Sequence, residues 1–230
     1  MKICFLSDIH GNYDALKKCV KEAKKLNVKK FICLGDYVGY YYQPDKCIDL
    51  LLSLKAECIK GNHENIFLDI IKNKQKKNFY ISKYGNGIKI ALEKLKKKHI
   101  NFIKNLPSTK KITLSGKKIF LCHGSPWNID QYIYPNKFGK FKKKFKNLNY
   151  DIILLGHTHI QMIKKINSKL ILNPGSVGQP RDGESSAKWL IVDLKNSKYE
   201  FKKTKFNHKN IIKQVMLYDS SKKRLIKYFQ

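Results

Sequence analysis

Short apolar runs in this chain end, one after another, in a glycine or aspartate beside a potential metal ligand. Residues 2–7 lead into Asp8-Ile9-His10-Gly11-Asn12 and residues 31–34 into Gly35-Asp36. Residues 56–59 lead toward Gly61-Asn62-His63-Glu64, residues 118–122 into His123-Gly124, and residues 151–155 into Gly156-His157-Thr158-His159. Apolar runs of this length bounded by turn residues read as buried strands. Open α/β sheets carry their sites at the carboxyl ends of such strands. The chain is therefore constrained to a fold that gathers these strand ends.

The segments between the runs fit that frame. Asn12 is suited to cap a helix with an apolar face of Leu16, Cys19, Val20, Ala23 and Leu26. Pro44 suits the first turn of a second helix carrying Cys47, Ile48, Leu51 and Leu54. The β-α-β-α-β opening predicts a parallel sheet. Residues 65–106 read as helices, with Ile88, Ala91, Leu92 and Leu95 on one face before Pro107. Phe138, Phe141 and Phe145 among lysines predict an amphipathic helix with phenylalanines inward. After Gln161 the period changes: strands at 162–166, 170–173, 187–193 and 199–206 predict antiparallel hairpins. Residues 207–229 read as two short helices split near Asp219-Ser220. No linker or repeat interrupts the 230 residues, so one domain over 1–230 is expected.

The net charge of +31 would draw in polyanions. Yet of 48 basic residues only Arg181 and Arg224 are arginine, the preferred reader of phosphates and base edges. A compositional drift toward Lys, Asn and Ile accounts for the excess, so nucleic acid is not the favoured partner. No apolar run reaches membrane-spanning length and the N-terminus lacks a signal-peptide core, so a cytoplasmic protein without a membrane partner is expected. The six cysteines form no C-x-x-C pair and sit mostly in apolar runs, as buried free thiols do. Cys122 precedes His123 but alternates with Phe120, which turns its thiol toward the core.

Carboxylates, imidazoles and an amide together are the ligand set of a pair of hard or borderline divalent ions, and paired ions commonly hydrolyse phosphate esters. Asp36 is the candidate bridge. Asp8 and His10, two apart after a strand, reach one ion. Asn62 is a neutral oxygen ligand that keeps the site's charge low enough for an anionic substrate. His63 is then a spare imidazole suited to protonate a leaving alkoxide, with Glu64 a candidate to orient it. Gly156, Gly61 and Gly124 are expected to free the turns that aim the ligands. His99 and His208 lie outside the set and receive no role.

These blocks, in this order, resemble the calcineurin-like metallophosphoesterase superfamily. Gly35-Asp36-Tyr37-Val38-Gly39-Tyr40 with Pro44, and the stretch from Asn173-Pro174-Gly175-Ser176 to Arg181-Asp182-Gly183, resemble its small bacterial and archaeal phosphodiesterase-like branch. The likeness covers nearly the whole chain. It implies an α/β (α+β) fold, a four-layer β-sandwich of two mixed sheets flanked by helices. It implies two divalent ions, manganese first, with Fe, Ni, Co or Zn as alternatives. Asp8, His10 and His159 with bridging Asp36 would hold one ion, and Asn62, His123 and His157 with Asp36 the other. His63 would be the general acid, and a hydroxide bridging the metals would attack phosphorus in line.

The expected substrate is a phosphodiester or phosphomonoester of a small metabolite or nucleotide. Asn12, Ser176 and Arg181 are candidate substrate contacts, with Arg181 equally suited to holding its own turn. Tyr40-Tyr41-Tyr42 either stack on a nucleobase or anchor a loop. Two alternatives stand beside this reading. One is a nuclease or RNA-end-processing phosphodiesterase assisted by the basic surface. The other is a non-catalytic scaffold on the same fold, against which the intact ligand set argues.

Overall fold

The computed structural model describes residues 1–229 and contains two five-stranded sheets packed face to face. The first is built from β1 (Lys2–Leu6), β2 (Lys30–Cys33), β3 (Glu57–Cys58), β9 (Ala187–Asp193) and β10 (Lys198–Thr204), in the order β10-β9-β1-β2-β3. The second holds β4 (Thr109–Leu114), β5 (Lys117–Cys122), β6 (Ile152–Leu154), β7 (Gln161–Ile166) and β8 (Lys169–Pro174), in the order β4-β5-β6-β8-β7. Both are mixed. β1, β2 and β3 run parallel, as the opening pattern predicts, while β9 joins β1 antiparallel. β7 and β8 form one expected hairpin and β9 and β10 the other, yet β8 also pairs in parallel with β6.

Side-chain alternation along the central strands sorts the core into layers. Cys4 and Leu6 of β1 face α1 (Tyr13–Lys25) and α2 (Pro44–Ser53), with Leu16, Cys19 and Ile48 beneath them. Ile3 and Phe5 face the other way and meet Ile119, Leu121, Leu154 and Leu172 of the second sheet. Phe120, Cys122, Ile153 and Ile171 then turn outward onto Phe138 and Phe145. Helix, sheet, sheet and helix layers result. Each buried Leu, Ile or Phe of this stack contributes roughly 1.5–3 kcal/mol, so Phe5→Ala is a substitution the fold would feel on both neighbouring strands.

Local chemistry sets the element ends as expected. Asn12 caps α1, its Oδ1 accepting from the Ala15 N–H at 3.2 Å, and Pro44 opens α2. Residues 62–105 form α3 (Asn62–Lys72), α4 (Lys77–Tyr84), α5 (Gly87–Lys94) and α6 (Lys97–Asn105).

Three expectations change. β4 was not anticipated, because Thr-Lys-Lys-Ile-Thr-Leu is a half-exposed edge strand whose lysines hide its period. The phenylalanine segment does turn Phe138 and Phe145 inward, but Gly139 lies in a 3₁₀ turn over Pro135–Phe141, and only α7 (Lys142–Lys146) is α-helical. The C-terminus forms α8 (Lys209–Tyr218) followed by two 3₁₀ turns rather than a second α-helix. No described helix is long and apolar enough to cross a membrane.

Candidate metal centre

The strand ends converge at one edge of the sandwich. The loop after β1 brings Asp8 and His10, the loop after β2 brings Asp36, and the start of α3 brings Asn62 and His63. The end of β5 brings His123 and the loop after β6 brings His157 and His159. All eight are buried. Ligand atoms of Asp8, His10, Asp36 and His159 lie within 4.8 Å of one another, and so do those of Asp36, His123 and His157. Asp36 belongs to both groups. Asn62 Oδ1 lies 3.1 Å from His123 Nε2, which places the amide at the second group.

Each imidazole is fixed by a backbone carbonyl behind it. His10 Nδ1 donates to Val38 O at 3.1 Å, His123 Nδ1 to Leu34 O at 2.7 Å, and His159 Nδ1 to Gln179 O at 2.6 Å. With Nδ1 committed to its carbonyl, Nε2 of each ring points into the centre, the arrangement a metal-bound imidazole needs. His157 is turned over: Nε2 donates to Asp130 O at 3.1 Å and leaves Nδ1 inward. His10 Nε2 and His159 Nε2 face each other at 3.1 Å, two acceptors in search of a shared cation. Two carboxylates, four such imidazoles and one amide fit divalent ions in both groups.

The backbone is bent to the same end. Asp8, His10, Asp36, His157 and His159 all have positive φ, between 51° and 66°. Non-glycine residues rarely occupy that region, and they cluster there at functional sites. Gly61, Gly124 and Gly156 are needed for space rather than for freedom of φ, contrary to expectation, whereas Gly11 and Gly35 have φ of 73° and 100°. A Cβ on Gly61 would lie 2.2 Å from Asp36 Oδ1, and one on Gly156 2.1 Å from Ser7 Oγ. Five candidate ligands share the unusual dihedrals with Gly11 and Gly35, and Gly61 and Gly156 let neighbouring loops touch.

Electrostatics follow from this crowding. Burial alone would raise the Asp8 carboxyl, but His159 and His123 hold it below the usual range. Burial likewise opposes ionisation of Asp36, and His123 and His63 outweigh it. Burial disfavours the His123 imidazolium, yet Asp36 and Asp8 raise it to about 10. Burial lowers His63 and His157 to about 4.

His63 lies beside the ligands with its ring among three others. His10 is 4.8 Å away between centroids, Tyr40 5.1 Å and Tyr84 4.7 Å. Its Nδ1 is buried with no hydrogen-bond partner among the described residues. Glu64 does not orient it. The Glu64 carboxylate accepts instead from the backbone N–H groups of Asp36, Tyr37, Val38 and Gly61, fastening the Asp36 loop to α3. Cys122 is buried away from the centre, and burial raises its thiol far from reactivity.

The candidate substrate contacts divide. Ser176 Oγ donates to Asp8 O at 2.7 Å and accepts from Gln179 N–H at 2.8 Å. Asn12 caps α1 and donates to Gly178 O at 3.0 Å. Both side chains sit behind the ligands and tie loops together. Arg181 stands at the mouth, donating to Tyr40 Oη at 3.2 Å and Gln179 Oε1 at 2.8 Å. The tyrosine run divides too. Tyr41 Oη donates to Leu225 O and Tyr42 Oη to Asp219 Oδ2, anchoring the C-terminal segment, while Tyr40 faces His10 and His63. Tyr84 and Tyr132 also border the centre, and sequence reasoning missed both. Tyr132 lies 4.0 Å from His157 between ring centroids. Each sits in a stretch without ligand motifs.

Two packed mixed sheets with this cluster at their strand ends define a metallophosphoesterase. The chain belongs to the calcineurin-like phosphoesterase superfamily, whose domain model matches residues 1–197. It is 32% identical to an uncharacterized protein of Methanocaldococcus jannaschii over 93% of this chain and 91% of that one. A phosphodiesterase of the same archaeon is 23% identical over 76% of this chain and 83% of its own. A metallophosphoesterase structure from Sphaerobacter thermophilus superposes with a TM-score of 0.80 at 24% identity, covering 99% and 100% of the two chains. The chain is accordingly a phosphoester hydrolase.

Proposed function

We propose that this hydrolase cleaves a phosphodiester of a small metabolite or nucleotide in the cytoplasm, using two divalent ions, manganese first among them. The observation that carries the reading is the sharing of Asp36 between two groups of converging donors. Asp8, His10, His159 and Asp36 would hold one ion, and Asn62, His123, His157 and Asp36 the other. When bound, such a pair supplies a water of lowered pKa and neutralises charge on the phosphate.

The protein's own groups do the rest. The carbonyls behind the imidazoles keep every donor aimed inward, so little reorganisation accompanies reaction. His63 protonates the leaving oxygen. Burial keeps its ring neutral in the free protein, and the charge of an arriving phosphate favours the protonated form. Tyr40 and Tyr84 flank that ring and shield it from water. A diester is favoured over a monoester by space on two sides. One cavity of about 380 Å³ adjoins Asn62, another of about 270 Å³ adjoins Tyr40, and both share Lys83 and Tyr84.

The test is hydrolysis of bis-p-nitrophenyl phosphate against p-nitrophenyl phosphate, with Mn²⁺ restored after chelation. Turnover favouring the diester is expected, with Asp36→Ala losing metal and activity together. His63→Ala should keep its metal and lose roughly 10²–10⁴ in kcat, the usual contribution of a general acid. Turnover of the monoester alone would make the enzyme a phosphatase, and metal loss in His63→Ala would overturn the assigned roles.

A further inference from the structure

Only two of the chain's 48 basic residues are arginines, and both line the same cavity. Arg181 and Arg224 meet there with Lys83, Tyr40, Tyr84 and Tyr132, and no carboxylate is among the lining residues. Arg181 is only half-exposed, and among the described residues no acidic group pairs with it; its partners are Gln179 and the Tyr40 hydroxyl. Arg181 feels the Asp8 carboxylate of the cluster but makes no ion pair among the described residues, and a half-buried guanidinium so placed is better satisfied when an anion joins it. In a chain that otherwise uses lysine throughout, arginine stands where a planar fork for a phosphate is of use. The tyrosines supply the other half of the site. Tyr132 is 43% exposed and so has ring surface to offer a ligand, and Tyr40 and Tyr132 border His63 and His157 respectively. The cavity therefore adjoins the reacting centre, with the tyrosine rings between the two.

We infer that this cavity holds one arm of the substrate, a nucleotide bearing a further phosphate, with its base against the tyrosines and that phosphate on Arg181 and Arg224. This rests on the phosphodiester reading above. Aromatic rings accept any base face, whereas the arginine fork requires an anion. A nucleotide with two phosphates satisfies both, and a simple aryl diester satisfies only the first.

The test titrates adenosine 3′,5′-bisphosphate into the full chain by calorimetry at roughly physiological salt. It is run with Mn²⁺ loaded and again after chelation, with adenosine and pyrophosphate as comparisons. The bisphosphate should bind the chelated protein at least about tenfold more tightly than either comparison, and Arg181→Lys and Arg224→Ala should each weaken it by about tenfold. Arg224 is exposed but donates to the Lys83 carbonyl, so a thermal melt of Arg224→Ala is read alongside to separate lost binding from lost folding. Pyrophosphate binding as tightly as the bisphosphate would overturn the nucleotide assignment, leaving a site for any anion. Binding indifferent to both substitutions would overturn the site, leaving the general lysine field. Turnover of bis-p-nitrophenyl phosphate by the Mn²⁺-loaded wild type is read separately. If that turnover stands while bisphosphate binding fails, the inference falls and the proposed function survives.

Discussion

Glu64 Oε2 accepts the backbone N–H of Asp36 at 2.8 Å, from beneath the residue that both metal groups share. The same carboxylate takes the N–H groups of Tyr37, Val38 and Gly61, so one buried side chain fixes the loop after β2 against the first turn of α3. It satisfies the N–H side of a loop whose Gly35, Asp36 and Tyr37 carbonyls already accept from Asp8, His10 and Gly11.

Removing it exposes that dependence. Glu64→Ala leaves four buried donors unpaired and should destabilise the fold by about 3 kcal/mol or more. Metal affinity should fall with it, because Asp36 loses its mooring. Urea denaturation and Mn²⁺ titration read the two effects. Wild-type metal affinity in the variant would show that the Asp36 loop holds itself.

Gly39 tests the placing of His63. Its φ is +124°, and an added Cβ would meet His63 Nδ1 at 2.5 Å. Gly39→Ala should push the ring aside and lower kcat by roughly 10²-fold, the order expected for an ångström of displacement. The same Cβ would come 3.1 Å from His10 Nδ1, so metal content, measured by atomic emission, should fall far less than kcat. Unchanged kcat would mean that His63 takes no part in the reaction.

The metal-free protein should be most stable near pH 6.5. His123 is raised to about 10 from an ordinary 6.5, so its ion pairing with Asp36 stabilises fully below 6.5 and is lost as pH rises through 10. His63 and His157 are lowered to about 4, so their contribution is present above 6.5 and lost as pH falls through 4. Metal binding must displace the His123 proton, so affinity should rise with pH across the upper window and protons should be released. Denaturation midpoints of chelated protein at several pH values check the first point, and calorimetry in buffers of different ionisation enthalpy checks the second.

Asp219 ties the C-terminal segment to the mouth of the site. It accepts from Tyr42 Oη at 2.9 Å and from Asn86 N–H at 2.8 Å. Asp219→Ala leaves both donors unpaired and should destabilise by about 3 kcal/mol, against about 1 kcal/mol for Tyr42→Phe. Thermal melts of the two variants give the comparison. Equal effects would place the anchor elsewhere.

The alternation of Cys4 and Leu6 against Ile3 and Phe5 is present in the first strand, and with it the need for a layer on each face. The ligand motifs likewise announce themselves, because aspartate and histidine at the ends of apolar runs have few other uses. β4 stayed hidden because an edge strand with a wet face needs no apolar period. The division of the tyrosine run stayed hidden because it depends on residues 184 and 177 positions away, Leu225 and Asp219.

Sequence alone therefore determined the parallel opening of the first sheet and the types of donor at the strand ends, since strand periodicity and metal-ligand chemistry are both written in residue types. The packing of a second sheet on the first was legible only through the family resemblance. Only the tertiary structure decided which nitrogen each histidine offers, because that rests on the carbonyls of Val38, Leu34, Gln179 and Asp130. Every residue carries such a carbonyl, and no side chain records where it points. The same holds for the gathering of both arginines beside the centre. Arg181 and Arg224 are 43 residues apart, and the folding of the C-terminal segment over the Tyr40 loop is what brings them together.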